Sequence, residues 1–285
     1  MKAVKNIFDF FINSSIWVAL SVCALVVITC INHNVIVNYP LLLLIFSGTI
    51  VGYNFVKYFE KENLKLLRDA KLDLQLFQLK NRRQHFLLSK KIVWIMTMFA
   101  AVLCIYLLFV LHLNSLFILL IPMALTFFYA ISFRRKSLRA ISGVKIYVVG
   151  FVWAFVTVLF PLYEYGVEIS TDVLLTFVQR LIFVVLLILP FEIRDLQVDD
   201  ISLGTMPQRV GVINTKLYGF LLAMLFLCLE FFKDEVLEVN LLVLPLVFVI
   251  SVLFLVFATE KQSKYYASFF VEGIPVFWLG LLLIL

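Results

Sequence analysis

Three carboxylates stand close together in a polar stretch that follows an apolar run of roughly twenty residues. They belong to Glu192, Asp195 and Asp199. Their spacing of i, i+3 and i+7 places them on one face, if the stretch is helical. Like charges held together repel one another, so we expect a positive partner beside them. Arg194 could supply part of that charge and a divalent metal ion more, whereas the alternative interpretation is a solvated acidic loop between membrane segments.

A second polar stripe stands at the end of another apolar segment. Asn54, Tyr58 and Glu62 follow one another at intervals of four residues, so a helix would present them along one face. We expect this stripe to face the same aqueous boundary as Asp195 and Asp199. The alternative is ordinary decoration of a membrane border, where tyrosine and lysine side chains are common.

A basic segment follows a later apolar run and holds five cations within residues 134–145. Such a cluster suits a diphosphate group, whose oxygens accept charge-assisted hydrogen bonds from several cations. It suits the anionic headgroups of a lipid leaflet equally well, and both interpretations stay open. The five residues are Arg134, Arg135, Lys136, Arg139 and Lys145.

The composition indicates which elements must position these side chains. Of the 285 residues, 64 % are hydrophobic and 15 % are charged, against about 25 % charged in an average soluble domain. The mean hydropathy is +1.07. Long continuous apolar runs predict an all-α, polytopic membrane helical bundle that forms a single domain over 1–285. The four cysteines lie in apolar runs without a C-x-x-C pair, which argues against disulfides and cysteine-bound metals.

About nine apolar segments are long enough to cross a hydrocarbon core of roughly 30 Å. Placing the N-terminus inside puts 22 of the 24 lysines and arginines on the inner side, in keeping with the positive-inside rule. Because the cations are sorted by loop in this way, the net charge of +6 does not indicate nucleic-acid binding. The two largest polar segments are inner ones, so we expect chemistry at the cytoplasmic face. The predicted spans are 14–33, 37–57, 92–112, 115–133, 143–162, 173–193, 216–232, 240–259 and 267–285.

The polar stretch after the sixth predicted span resembles a motif of a known family of membrane enzymes. It reads R-D-L-Q-V-D at residues 194–199 and G-T-M-P-Q-R-V-G at residues 204–211. This pattern is similar to the second aspartate-rich motif of the UbiA-type intramembrane prenyltransferase superfamily. The nine-span layout with both large polar segments inside resembles that superfamily too, as does Y-A-I-S-F-R-R at residues 129–135.

The first aspartate motif of that superfamily, N-x-x-x-D-x-x-x-D, is altered in this chain. The same register holds Asn54, Tyr58 and Glu62, so a tyrosine and a glutamate stand where the superfamily has two aspartates. The arginine of the element that follows is replaced by His85, and both prolines of that element are absent. The tyrosine at position 58 removes one of the carboxylates that help to hold metal in the superfamily.

The resemblance implies a membrane prenyltransferase that moves a polyprenyl group from its diphosphate to a lipophilic, aromatic acceptor. It implies Mg²⁺ as the cofactor, since this ion prefers carboxylate and phosphate oxygens and offsets charge on a leaving diphosphate. Asp195 and Asp199 would form the catalytic, metal-holding pair, with Glu62 as a weaker ligand. The residues implied in substrate binding are Asn54, Tyr58, Arg194, Arg134, Arg135, Lys136 and Lys145.

Two alternatives to a transferase stay open from the sequence. The altered first motif favours an impaired relative, which binds an isoprenoid lipid but no longer ionises a diphosphate. A transporter is favoured least, because the polar residues concentrate at one face and not near the bilayer midplane. We expect an integral protein of the lipid bilayer, in the inner (cell) membrane of a bacterium, with its active face cytoplasmic.

Overall fold

A computed structural model describes residues 2–69, 83–111, 116–130, 143–197, 199 and 203–285. Within these ranges the chain is built from helices and contains no strand. The apolar composition favours this outcome, because a helix satisfies its backbone hydrogen bonds within one segment when no water is at hand. The expected all-α architecture of a helical membrane protein is confirmed at this level.

The connections between helices that the structure describes in full are short. Two short stretches form wider π turns, Phe155–Leu159 and Tyr266–Val271, which are local irregularities of the kind often found at functional sites. The helices are α1 (Lys2–Asn13), α2 (Ile16–Asn32), α3 (Tyr39–Asp69), α4 (Arg83–Val110), α5 (Leu116–Ala130), α6 (Lys145–Ala154), α7 (Phe160–Glu164), α8 (Thr171–Asp195), α9 (Met206–Cys228), α10 (Asn240–Val256) and α11 (Ile274–Ile284).

Among the described residues, six helical stretches are long and apolar enough to cross a membrane. Six of the nine predicted spans therefore correspond to helices of crossing length, and the other three to shorter apolar helices, Ile16–Asn32, Phe117–Ala130 and Asn240–Val256. The six longer stretches are Tyr39–Lys57, Lys91–Val110, Lys145–Glu164, Thr171–Asp195, Met206–Phe232 and Tyr266–Ile284.

Helix α8 is the most buried of the six longer stretches and packs against α6, α9 and α10. Phe183 of α8 has no exposed surface. Its ring stacks on Phe226 and meets Trp278 edge-on, with both ring centroids 5.2 Å away. Because α8 runs through the middle of the bundle, the polar residues at its two ends are carried to opposite ends of the molecule.

The two ends of the bundle are named here by their acidic residues. The Asp195 end holds the last turn of α8 and the start of α2, because Arg194 donates to Ser268 and Trp17 of α2 donates to the carbonyl of the following residue. Asn54 of α3 lies there too, since it bonds Ser15 just before α2. The Glu230 end holds the start of α8, the end of α2 and the α9–α10 connection. His33 after α2 lies 3.2 Å from Thr176 of α8 there.

Gly219 lies where α9 packs closely on its neighbours. An ideal Cβ at this position would clash with Leu255 and would lie 2.8 Å from Cδ1 of Leu189. Both contact atoms end flexible side chains, so we expect Gly219→Ala to fold but to lose roughly 1–3 kcal/mol of stability through overpacking. Gly280→Ala is the matched control, because no atom lies within 4 Å of its ideal Cβ. Denaturant unfolding in detergent measures both variants, and equal stability would contradict the close packing at Gly219.

Candidate functional site

The acidic stretch lies at the point where α8 leaves the apolar core. The helix ends at Asp195, and the N–H of Asp199 donates to the Asp195 carbonyl at 2.8 Å, which adds one further turn. Asp195 and Asp199 therefore lie one turn apart. Glu192 is buried, and its Oε2 accepts the backbone N–H of Met206 at 3.1 Å. That bond places a carboxylate at the start of α9, where the helix dipole favours negative charge.

Arg194 supplies the positive charge that the spacing of the acids predicts. Its Nε and Nη2 donate to the two carboxylate oxygens of Asp195, at 2.7 and 2.9 Å. Its Nη1 donates to Oγ of Ser268, at 3.1 Å. Asp195 thus carries a bidentate, charge-assisted pair that is only partly exposed.

Asp199 is paired with a cation from a different helix. Nζ of Lys145, the first residue of α6, lies 3.6 Å from Oδ2 of Asp199. That oxygen is buried and accepts no hydrogen bond among the described residues. The Gln208 side chain joins the segment to the next helix, because it accepts the Thr205 N–H at 2.9 Å and donates to the Asp199 carbonyl at 3.2 Å.

Asn54 is at the same end of the bundle, but its amide is engaged by the protein. Its Oδ1 accepts a bond from Ser15 at 2.8 Å, and its Nδ2 donates to Thr97 at 2.8 Å and to the Ser14 carbonyl at 3.2 Å. These bonds join α3 to α4 and to the α1–α2 corner. The role of Asn54 in the structure is therefore to hold three helical elements together.

Glu272 lies between the polar residues around Asp195 and those around Asn54. It follows the π turn before α11, and its charge interacts with both Lys57 and Arg194. Lys57 also donates to Oγ of Ser15 at 2.8 Å, so it stands beside Asn54. An ionisable group in an apolar segment is tolerated where it has charged partners, and Lys57 and Arg194 are such partners for Glu272.

Several predicted site residues lie outside the described part of the structure. Arg134, Arg135 and Lys136 fall in 131–142, and the side chains of Tyr58 and Glu62 are likewise not described, although both residues belong to α3. Their roles in binding stay predictions. Of the predicted residues with described side chains, the structure brings Asp195, Asp199, Arg194 and Lys145 together and places Asn54 at the same end.

Lys57, Ser268 and Gln208 are polar contacts of this end that the sequence interpretation missed. Ser268 lies in a π turn within an apolar segment, so its spacing gives no sign of Arg194. Gln208 had a usable signal, since T-x-x-Q at residues 205–208 is the pattern of a helix start. Lys57 directly precedes Tyr58 and reads as a membrane-border lysine.

The described residues of this end bring two carboxylates and two cations together. Within the described ranges, no three His, Cys, Asp or Glu side chains gather into a metal site. Two carboxylates one turn apart, with Arg194 and Lys145 beside them, can instead share a metal ion with a phosphate ligand. A diphosphate would find cations and metal-binding oxygens in one place.

Comparisons with family models, with curated proteins and with solved structures return no match for this chain. The resemblance to the UbiA-type superfamily therefore depends on the motif residues of the sequence.

Proposed function

We propose that this protein is a membrane prenyltransferase, which moves a polyprenyl group from its diphosphate to a lipophilic, aromatic acceptor. The observation that carries the proposal is the pair of Asp195 and Asp199, one turn apart, each with a cation beside it. These residues coincide with the R-D-x-x-x-D pattern at 194–199. Their position at the end of an apolar helix suits a substrate with a charged head and an apolar tail.

In this proposal the diphosphate binds at the Asp195 end and the prenyl tail lies among the apolar helices. Arg194 and Lys145 would donate to phosphate oxygens and so offset the charge that grows as the allylic C–O bond breaks. The diphosphate leaves with the bonding electrons, and the acceptor attacks the allylic carbon and loses a proton. Glu272 and Lys57 would set the charge balance beneath the diphosphate.

The donors at the Asp195 end fit Mg²⁺. Oδ2 of Asp199 is a buried carboxylate oxygen without a hydrogen bond among the described residues, so one ligand atom is in place. Asp195 would share its oxygens between the metal and Arg194, which now holds both of them. When bound, Mg²⁺ would neutralise charge on the leaving diphosphate. Glu62 is proposed as a further, weaker ligand.

We also propose nine spans with the N-terminus inside, so that the Asp195 end is cytoplasmic. The distribution of charge supports this orientation, because cations collect at the Asp195 end and acids dominate the Glu230 end. In a bacterium the protein would lie in the inner membrane. The cations of the Asp195 end include Lys57, Lys145, Arg194 and Lys264, and the acids of the other end include Asp172, Glu230, Asp234, Glu235 and Glu238.

A second candidate is a relative that binds an isoprenoid diphosphate without turnover. Two observations favour it: Tyr58 stands in a metal-ligand position of the resembled motif, and the Asn54 amide is engaged in joining helices. This candidate keeps the cations and the apolar bundle but lacks a complete metal site.

Diphosphate release separates these two candidates. Purified full-length protein in detergent is given allylic diphosphates of several chain lengths, phenolic acceptors, and either Mg²⁺ or a chelator. Metal-dependent release with formation of a prenylated acceptor supports the transferase. Saturable binding of the same diphosphate without release supports the binding protein.

Restoring the missing acid tests the first motif directly. We expect Tyr58→Asp to raise the affinity for Mg²⁺ in the presence of a prenyl diphosphate by roughly tenfold, because it adds a hard oxygen ligand to a site with few of them. Isothermal titration with Mg²⁺ gives the affinity. Tyr58→Asn is the control, because asparagine has the shape of aspartate without its charge. An equal response of both variants would show that position 58 does not approach the metal.

A further inference from the structure

A polar cavity of about 80 Å³ opens at the Glu230 end, which the proposed transferase reaction does not use. It lies between the end of α2, the start of α8 and the α9–α10 connection. One water needs roughly 10–15 Å³ of such volume, so the cavity accommodates several waters or one small polar group. Apart from Leu237, its wall is made of polar and charged side chains.

A buried ion pair forms one side of this cavity. Nζ of Lys233 lies 2.5 Å from Oε2 of Glu230, and both side chains are at most 5 % exposed. Gln179 and Asn240 also donate to the Glu230 carboxylate, at 3.0 and 2.8 Å. The charges of Lys233 and Glu230 offset each other within the wall, and the network holds their side chains in place.

Asn240 brings an unsatisfied acceptor to the same wall. The residue is 2 % exposed, and its Nδ2 donates to Oε1 of Glu230 and to Oδ1 of Asn32. Two acceptors on that nitrogen fix which way the amide is turned. Its Oδ1 accepts no hydrogen bond among the described residues. A buried acceptor of this kind calls for a donor from a ligand or from water.

The remaining charges that face the cavity are negative. Asp172 and Glu235 line it, and each Asp172 oxygen accepts one backbone N–H, from Asp234 and Glu235, which leaves lone pairs for another donor. His33 also lines the cavity, where its Nε2 lies 3.2 Å from Oγ1 of Thr176. The buried Arg180 lies beneath this region but contacts Thr29 and the Trp278 ring.

We propose that this cavity binds a primary ammonium group, supplied by a small free amine or by the ethanolamine headgroup of a phospholipid. An ammonium group carries three N–H donors and one positive charge in a small volume. Its three N–H groups can therefore donate to Asp172, to Glu235 and to the unsatisfied Oδ1 of Asn240. A trimethylammonium group has the same charge but no N–H donor, and it is larger.

The experiment uses the full-length protein in nanodiscs of phosphatidylcholine and phosphatidylglycerol. Thermal unfolding is followed with added ethanolamine, with added choline, and in nanodiscs where phosphatidylethanolamine replaces part of the phosphatidylcholine. A ligand at a hundred times its Kd should raise Tm by a few degrees. The variants are Glu235→Gln, which removes a lining charge from an exposed residue, and Glu238→Gln, which removes a charge from an exposed residue outside the lining.

We expect ethanolamine or phosphatidylethanolamine to raise Tm and choline to have no effect. For Glu235→Gln, the ligand concentration needed for the same rise in Tm should be about tenfold higher. Glu238→Gln should respond like the unmodified chain. A response to free ethanolamine identifies a site for small amines, and a response to the lipid alone identifies a headgroup site. No response to either, an equal response to choline, or an equal loss in both variants would overturn the proposal.

Discussion

Asp195→Asn should abolish metal-dependent diphosphate release from an allylic diphosphate. The variant keeps the size of the side chain but removes the negative charge that pairs with Arg194 and is proposed to hold Mg²⁺. Loss of a group that acts on charge in the transition state costs about a hundredfold or more in rate. We therefore expect kcat to fall at least a hundredfold, while the diphosphate still binds through Arg194 and Lys145.

Asp234→Asn is the matched control, since it makes the same chemical change at the Glu230 end of the bundle. Its rate should equal that of the unmodified chain. Binding of the diphosphate is measured separately, because a folded, binding-competent Asp195→Asn protein separates a chemical defect from a structural one. Full turnover by Asp195→Asn would contradict the assignment of the site, whatever the acceptor.

The sequence was sufficient to predict the all-α bundle, because long apolar runs are typical of membrane helices. Helix ends were harder to predict, as α9 shows. Its predicted span begins at residue 216, whereas the helix begins ten residues earlier, at Met206, in a segment with charged side chains. At this start, the Gln208 side chain accepts the N–H of Thr205, and the buried Glu192 carboxylate accepts the N–H of Met206. A hydropathy profile does not report such hydrogen bonds.

The contact between Arg194 and Asp195 could be expected from the sequence, because the two residues are neighbours at the end of one helix. Lys145 was included only as a member of a basic segment, and its pairing with Asp199 brings together helices α6 and α8. Contacts of this kind depend on how helices pack, which one-dimensional periodicity does not contain. The same reason explains why Ser268, more than seventy residues from Arg194, was missed.

The Glu230 end could not be predicted as a site, because its parts read separately as ordinary border residues. Glu230 and Lys233 are three residues apart beside an apolar run, and Asn240 reads as the start of the next one. Only the folded chain shows that these three side chains are buried and bonded together. Each charge of a buried ion pair needs the other, because an unpaired charge that is removed from water is strongly destabilising.

Lys233→Met should therefore destabilise the protein strongly, because it leaves the Glu230 carboxylate buried without its cation. Breaking a buried ion pair by removing one partner costs about 3–5 kcal/mol. Burial lowers the pKa of the Lys233 ammonium, and its contacts with Glu230 oppose that shift. Lys264→Met is the matched control: Nζ of Lys264 is also 2.5 Å from a carboxylate oxygen, that of Asp9, but its side chain is 60 % exposed.

An exposed pair of this kind contributes about 0–1 kcal/mol, so Lys264→Met should unfold at nearly the denaturant concentration of the unmodified chain. The double variant with Glu230→Gln and Lys233→Met separates charge from packing. A glutamine at 230 can still accept from Asn240 and can donate to Gln179, so no charge is left buried and most of the lost stability should return. If the double variant were as unstable as Lys233→Met alone, the loss would come from packing around the lysine stem and not from the uncompensated carboxylate.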